Sequence, residues 1–469
     1  MHWYQTLDFA QGPLYQVIAQ AIARAVRTGE LQAEQRLPAQ RTLAKEIGCT
    51  LGTISRAYQL TNEMGLTRST TGSGSYICAQ HPFGFAIPDA QGPALINMSI
   101  NTPLLQSRAE LMGDALAALA QRLSFDPALM DYQVDQGALR QRQVLCDWYR
   151  TAGLDCQPEQ LCITAGAQHG LALVLSTFTR PGDAILAEAV SYPGLRPLAE
   201  RFGLTLHPLP IDQQGLIPEA LDEQCRRHMP RLLFCNPRFH NPTSSWMSER
   251  RKQQLATLAR QHQLLVVEDD ILAHFGPTSV PLYNLYPEQT IYLSSLSKSL
   301  APGLRIGLLV ASPTLMASLS QTLRQDIWMA SPMMAELAVR CIESGYSRQL
   351  QASDQLELSQ RAALLRPLIT ANSPGGSVQY QPGSPHGWLH LPAQLDALQF
   401  VEQLQHKGVL LKPASDFTLA GVQPINAVRF SLSAPLTRDQ LHQGLQLIQQ
   451  QLCSPRPPAT SHQPPAAIV

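Results

Sequence analysis

Residues 291–310 read IYLSSLSKSLAPGLRIGLLV, and their pattern decides how the rest of the chain is read. The apolar run Ile291-Tyr292-Leu293 gives way to serines and Lys298, and a Pro-Gly break follows at Pro302-Gly303. Arg305 then precedes a second apolar run. This spacing predicts two buried strands flanking a loop with one amine, several hydroxyls and one guanidinium. An aldehyde bearing a phosphate requires those groups: the amine forms an imine, while hydroxyls and guanidinium hold the phosphate. Taken alone, the segment is better read as a surface lysine after a strand.

Upstream segments supply partners for that loop. Residues 161–164 form a short apolar strand running into Ala165-Gly166-Ala167-Gln168 and an apolar helix. Small residues ahead of a helix leave its first amides free to cradle phosphate, here those of Ala167 and Gln168. Ser191-Tyr192-Pro193-Gly194 follows another strand, and residues 231–235 lead into NPRFHNPTSS. The continuous apolar run 264–267 reads as a central parallel strand closed by Glu268-Asp269-Asp270. Strand and helix patterns alternate from about residue 95, which predicts an open α/β sheet with ligands beyond the strands' carboxyl ends. Helices dominate from about residue 332, and residues 409–433 read as a smaller domain, with Arg429 on its last apolar strand.

The motif S-x-S-K-x-x-x-P-G-x-R-x-G resembles the lysine segment of fold-type I pyridoxal-phosphate aminotransferases. The resemblance covers about residues 95–450. It implies that Lys298 is the Schiff-base lysine, with Arg305, Ser295 and Ser297 near the phosphate. It further implies that Tyr192 stacks on the pyridine ring and that Asn241 of the N-P-T motif bonds the ring hydroxyl. Asp269 is then the carboxylate at the ring nitrogen, where it keeps that nitrogen protonated; the alternative for these acids is helix capping. Arg429 is implied as the two-point fork for a substrate carboxylate, and Tyr132 as a residue reaching the neighbouring subunit's phosphate, which requires a homodimer. One departure stands out: Ile271 and Leu272 occupy the positions where relatives carry a tyrosine that bonds the ring hydroxyl.

The first eighty residues differ in kind. Leu14, Val17, Ile18, Ala21, Ile22 and Ala25 recur at helical spacing. Pro38 opens a second helix ended by Gly48, and Thr50 caps a third. Two β-prone pieces then flank Thr71-Gly72-Ser73-Gly74, so the pattern predicts a winged helix-turn-helix, with a generic three-helix bundle as the alternative. LYQVIAQAIARAVRTGEL, RLPAQRTLAKEIG, TLGTISRAY and GSGSYI resemble the GntR-type DNA-binding domain. That resemblance implies DNA contact by Arg41, Thr50, Thr53, Ser55 and Arg56, and by the wing at Gly72. Leu51-Gly52 stands where such domains often carry an arginine, so base readout is expected to use hydroxyl and apolar contacts.

The expected organisation is therefore α/β: a winged helix-turn-helix over 1–79, a linker over 80–94, and an aminotransferase-like domain over 95–452. The small-domain part begins near 335, and the proline-rich tail 453–469 is expected to be disordered. A chain of 469 residues accommodates such a division. Zero net charge confines any basic DNA-facing surface to a local patch. Nine scattered cysteines without metal-ligand spacing, no signal-like start and no membrane-length apolar run point to a cytoplasmic protein. Together the two resemblances are those of the MocR branch of GntR-type regulators. They imply a transcription factor in which pyridoxal 5'-phosphate on Lys298 senses an amino compound through an external aldimine. The alternative is a working transaminase with a DNA-binding module attached.

Overall fold

The structure is a computed structural model that describes residues 3–6, 13–27, 30–32, 35–63, 66–70, 74–77, 95–104, 108–123, 127–365, 376–423 and 425–453. Gly72 of the expected wing, the expected linker 80–94 and residues 454–469 lie outside them. The chain divides into two compact units, Met1–Phe85 and Ala86–Val469.

In the first unit, helices α1 (Leu14–Arg27), α2 (Gln40–Ile47) and α3 (Leu51–Glu63) precede an antiparallel hairpin of β1 (Thr67–Thr70) and β2 (Gly74–Ile77). Ile18, Ile22, Leu43, Ile54, Ala57, Tyr58 and Ile77 meet in its core. Gly48 ends α2 in the left-handed region at φ 76°, and its amide returns to the Ala44 carbonyl. The amide of Thr53 donates to Thr50 Oγ1 at 3.2 Å, which caps α3 as its threonine predicts.

The second unit is built on a seven-stranded sheet. Its strands are β4 (Leu161–Thr164), β5 (Ala184–Glu188), β6 (Thr205–Leu209), β9 (Leu232–Cys235), β10 (Leu265–Asp269), β11 (Thr290–Ser295) and β12 (Gly307–Val310). Strand β3 (Ile96–Asn97) and the small hairpin β7 (Ile211–Asp212) and β8 (Gly215–Leu216) stand apart from it. The order is β4-β12-β11-β10-β9-β5-β6, parallel throughout except that β12 runs against both β4 and β11. Alternation along each strand sends side chains to two covered faces. Ile185, Phe234, Val267 and Leu293 pack in one cluster, whereas Leu186, Leu233 and Val266 pack in another. Burial on both faces is why these strands read as unbroken apolar runs. Each fully buried side chain of this size contributes roughly 1.5–3 kcal/mol.

A four-stranded antiparallel sheet follows, formed by β13 (Ser377–Gln379), β14 (His386–His390), β16 (Lys412–Pro413) and β17 (Ala427–Ser431). Its core draws in residues from the beginning of the unit: β3 pairs in parallel with β15 (Val409–Leu410), and Ile96, Met98 and Leu104 share a cluster with Phe400, Phe430 and Leu445. Helix Pro332–Glu343, in contrast, packs Ala335, Leu337, Ala338 and Cys341 with Leu161 and Leu308 of the large sheet. The small-domain core therefore gathers the 96–104 segment and later residues rather than starting at residue 335. The final helix runs Arg438–Cys453, so Cys453 belongs to it and not to the tail.

Candidate functional site

The carboxyl ends of β4, β5, β9, β10 and β11 lie on one edge of the large sheet, and the loops beyond them carry the candidate residues. Lys298 stands three residues past β11 and donates from Nζ to the Asn101 carbonyl at 2.5 Å. Burial, then the Arg429 and Arg305 guanidiniums, pull its amine down to about 8. An amine so placed has a larger neutral, nucleophilic fraction near neutrality than an ordinary lysine.

At one end of this loop, helix Ala167–Phe178 begins directly after Gly166, which adopts φ 90°. A Cβ at Gly166 would fall 2.4 Å from Arg305 Nη2, and one at Gly307 would fall 2.7 Å from the Ala167 nitrogen. Only glycine lets the arginine and the neighbouring strand lie this close to the helix start. The result is a guanidinium set against the free first amides of a helix, a cradle for a dianionic phosphate. Ser295 closes β11 opposite Gly307, and its Oγ accepts from the Ser297 amide at 3.4 Å. Tyr192 donates from its hydroxyl to Gln168 Oε1 at 2.9 Å, and Gln168 Nε2 donates to the Gly194 carbonyl at 3.2 Å. These bonds place the tyrosine beside the cradle.

The three acids closing β10 divide by the pleat of the strand. Glu268 accepts from the amides of Leu282 and Tyr283, capping the short helix Leu282–Leu285. Asp270 accepts from the Tyr292 hydroxyl at 2.9 Å and pairs with Arg238 at 3.4 Å. Asp269 faces the opposite side, where its field reaches Tyr192. Burial, opposed by the Ile271 amide and reinforced by Asp270, raises its carboxyl to about 7. Helix capping thus falls to Glu268, and Asp269 is left to meet a cation such as a protonated ring nitrogen.

Arg429 occupies β17 between Trp388 of β14 and Lys412 of β16, and it is buried. Its Nη1 donates to Asn241 Oδ1 at 2.9 Å, its Nη2 donates to the Ser99 carbonyl, and its carbon lies 4.9 Å from the centroid of the Phe417 ring. Nε is buried and has no partner among the described residues. Because Arg429 takes the Asn241 oxygen, the amide nitrogen of Asn241 is the end that remains to donate. The Asn241-Pro242 bond is cis, and the Asn241 amide donates to Asn236 Oδ1 at 2.7 Å. Asn236 Nδ2 in turn donates to the Asp269 carbonyl at 2.5 Å, which ties the two loops together.

One pocket therefore holds an amine, an anion cradle, an aromatic ring, a buried acid and a guanidinium with a spare donor. These groups fit pyridoxal phosphate: the Gly166 cradle would take the phosphate, Lys298 would meet the aldehyde and Asp269 would face the ring nitrogen. The profile of the family described as aminotransferase class I and II matches residues 93–448. The chain belongs to that family.

The profile described as bacterial regulatory proteins, gntR family, matches residues 14–77, so this aminotransferase-family chain has the MocR-type arrangement. It is 27% identical to YdeF, an HTH-type transcriptional regulator of Bacillus subtilis, over 96% of this chain and 97% of that one. It is 30% identical to the HTH-type pyridoxine biosynthesis transcriptional regulator PdxR of Corynebacterium glutamicum, over 66% of this chain and 68% of that one. Among solved structures, LysN, the alpha-aminoadipate aminotransferase of Thermus thermophilus complexed with N-(5'-phosphopyridoxyl)-L-leucine, superposes with a TM-score of 0.68. It shares 26% identity and covers 76% of this chain and 92% of that one.

Against the family pattern, Ile271 and Leu272 both pack into the small-domain core and offer no donor to the pocket. Tyr132 is not part of the cluster around Lys298: it is 76% exposed, and its ring lies 5.5 Å from that of Trp328. Asn101, His386 and Asn236 were not singled out from sequence. Asn236 has a visible signal as the first residue of NPRFHNP, whereas Asn101 lies 197 positions before Lys298 and has none.

In the GntR-type unit, Arg41, Thr50, Ser55 and Arg56 are exposed and Thr53 is half-buried. The Thr50 and Thr53 hydroxyls bond each other at 2.9 Å, and Arg56 lies 4.6 Å over the Tyr15 ring. Leu51, at the start of α3, is also exposed.

Proposed function

We propose that this protein is a cytoplasmic DNA-binding transcriptional regulator that holds pyridoxal 5'-phosphate on Lys298 and responds to an amino acid. The observation that carries the reading is the unpartnered, buried Nε of Arg429 in the same pocket as the lowered amine of Lys298. A planar carboxylate suits such a guanidinium, and an amino group competes with Lys298 for the same carbon. When bound, the cofactor supplies an electron-poor ring and a reactive aldehyde. Ala167, Gln168, Ser295, Ser297 and Arg305 hold the phosphate, Tyr192 covers the ring, Asn241 donates to its hydroxyl and Asp269 keeps its nitrogen protonated. Binding shifts the balance between conformations that differ in affinity for DNA.

The second reading is a transaminase, favoured by the joint presence of Lys298, Asp269 and Arg429. The hydrocarbon side chains of Ile271 and Leu272 count against efficient turnover, because one donor to the ring hydroxyl is lost. Amino-acid titrations against operator DNA separate the two, with DNA flanking the protein's own gene as the probe. Altered DNA affinity without keto-acid release supports regulation.

The winged helix over 1–79, the linker over 80–94 and the sensing domain over 95–452 make up the working protein. In the DNA-binding unit, Arg41→Ala weakens binding to all sequences and lowers the slope of salt dependence by about one. Thr53→Ala, on the helix that faces base edges with Thr50, Ser55 and Arg56, narrows the gap between operator variants instead. If both variants match the parent in anisotropy titrations, these residues do not meet DNA.

A homodimer completes the pocket. Tyr132, Trp328, Met130 and Val134 are all exposed on the large domain, an apolar patch suited to a second copy. Tyr132 then serves the partner's phosphate. Light scattering at micromolar concentration should give the mass of two chains, and a stable monomer rules this out.

A further inference from the structure

The residue whose backbone carbonyl takes the Lys298 amine also carries a hydrogen-bond acceptor with no role in holding a cofactor. His386 is fully buried, and burial together with the nearby Arg429 charge pulls it down to about 3, so its ring is neutral. Its Nε2 lies 3.1 Å from the His240 backbone carbonyl, which can only accept. The ring proton is therefore on Nε2, and Nδ1 carries the lone pair. Asn101 Nδ2 sits 2.9 Å from that Nδ1 and donates to it. This settles the orientation of the Asn101 amide: its nitrogen faces His386 and its oxygen points away. Asn101 Oδ1 is buried and has no partner among the described residues. An acceptor of this kind is costly when left unmet.

The placement of Asn101 gives that acceptor a meaning. Its backbone carbonyl takes the Lys298 amine, and the carbonyl of Ser99, two residues earlier, takes Arg429. The segment thus runs between the group that meets an amine and the group that meets a carboxylate. We propose that Asn101 Oδ1 is a specificity element, selecting amino acids that carry a further hydrogen-bond donor, such as a hydroxyl, an amide or a second amine. The α-amino group cannot satisfy it, because that nitrogen is committed to the cofactor carbon. Acidic side chains are disfavoured, since two acceptors would face each other in a buried site. This inference rests on the amino-acid reading of the pocket and extends it to the ligand's side chain.

The test titrates cofactor-loaded protein with matched pairs: L-threonine against L-valine, L-ornithine against L-norvaline, and L-glutamine against L-methionine, with L-glutamate as the acid. The change in visible absorbance reports binding. The parent should favour the donor-bearing member of at least one pair by about tenfold, the effect of one satisfied buried acceptor, and should bind L-glutamate more weakly than L-glutamine. Asn101→Ala should bring that ratio close to one, and so should Asn101→Leu, which removes the acceptor at similar size. The backbone carbonyl that holds Lys298 survives in both variants, so an unaltered starting spectrum certifies an intact site. Equal affinities within every pair in the parent, or a preference that persists in Asn101→Ala, overturn the inference while leaving amino-acid sensing in place. If no amino acid alters the parent's spectrum, the sensing reading fails and this inference fails with it.

Discussion

Lys298→Ala should abolish the visible absorbance of the purified, cofactor-loaded protein, because the side chain proposed to bond the cofactor covalently is gone. Secondary structure and the mass of the folded particle stay as in the parent, since the loop is anchored by Ser295 and the packed Leu296 and Leu300. The parent carries a second signature. Its lysine is pulled down to about 8 by burial beside Arg429 and Arg305. Only the neutral amine attacks an aldehyde, so the reactive fraction grows as pH rises through that value. Reconstitution of cofactor-stripped protein with pyridoxal phosphate should accelerate about tenfold between pH 7 and pH 9 and then level off, whereas a lysine near its usual value of about 10.4 would still be gaining at pH 9. Absorbance-monitored reconstitution across that range decides the matter. An unchanged spectrum in Lys298→Ala removes the lysine from its role.

Arg429→Ala has the next largest effect, and it falls on the ligand. The guanidinium is buried on a central strand, anchored by Asn241, Ser99 and Phe417, with Nε unspent. Losing a preorganised charged fork costs on the order of 2–5 kcal/mol of binding, tens- to thousands-fold in affinity. The cofactor should stay bound, because the proposed holders Lys298, Arg305 and Asp269 all remain. Amino-acid titrations of parent and variant, followed by absorbance, should therefore show cofactor bound in both and very different midpoints. Equal midpoints would make Arg429 a structural residue that orients Asn241.

The pattern of residues along the chain determined much of this protein. Helix stops at Gly48, the Thr50 cap, the apolar strand 265–267 and the lysine loop between β11 and β12 are local, and their physics is local as well. A period of two or 3.6, a glycine able to take positive φ and a capping hydroxyl act over a few residues, so they are visible as spacing. The family pattern also pointed to Asp269 among three neighbouring acids. Only the fold supplied the reason: alternation along β10 sends Glu268 and Asp270 to Tyr283 and Arg238, on the face away from Tyr192.

The tertiary structure alone decided contacts between distant segments. Ile96 pairs with Val409, so the start of the second unit belongs to the core of its end. Asn101 joins Lys298, 197 positions onward, and His386, 285 positions onward. No periodicity marks such a pair, because the two residues carry no information about each other until packing of the sheets brings their segments together. Local propensity sets which elements form, whereas burial of their apolar faces against one another sets which polar groups end up face to face.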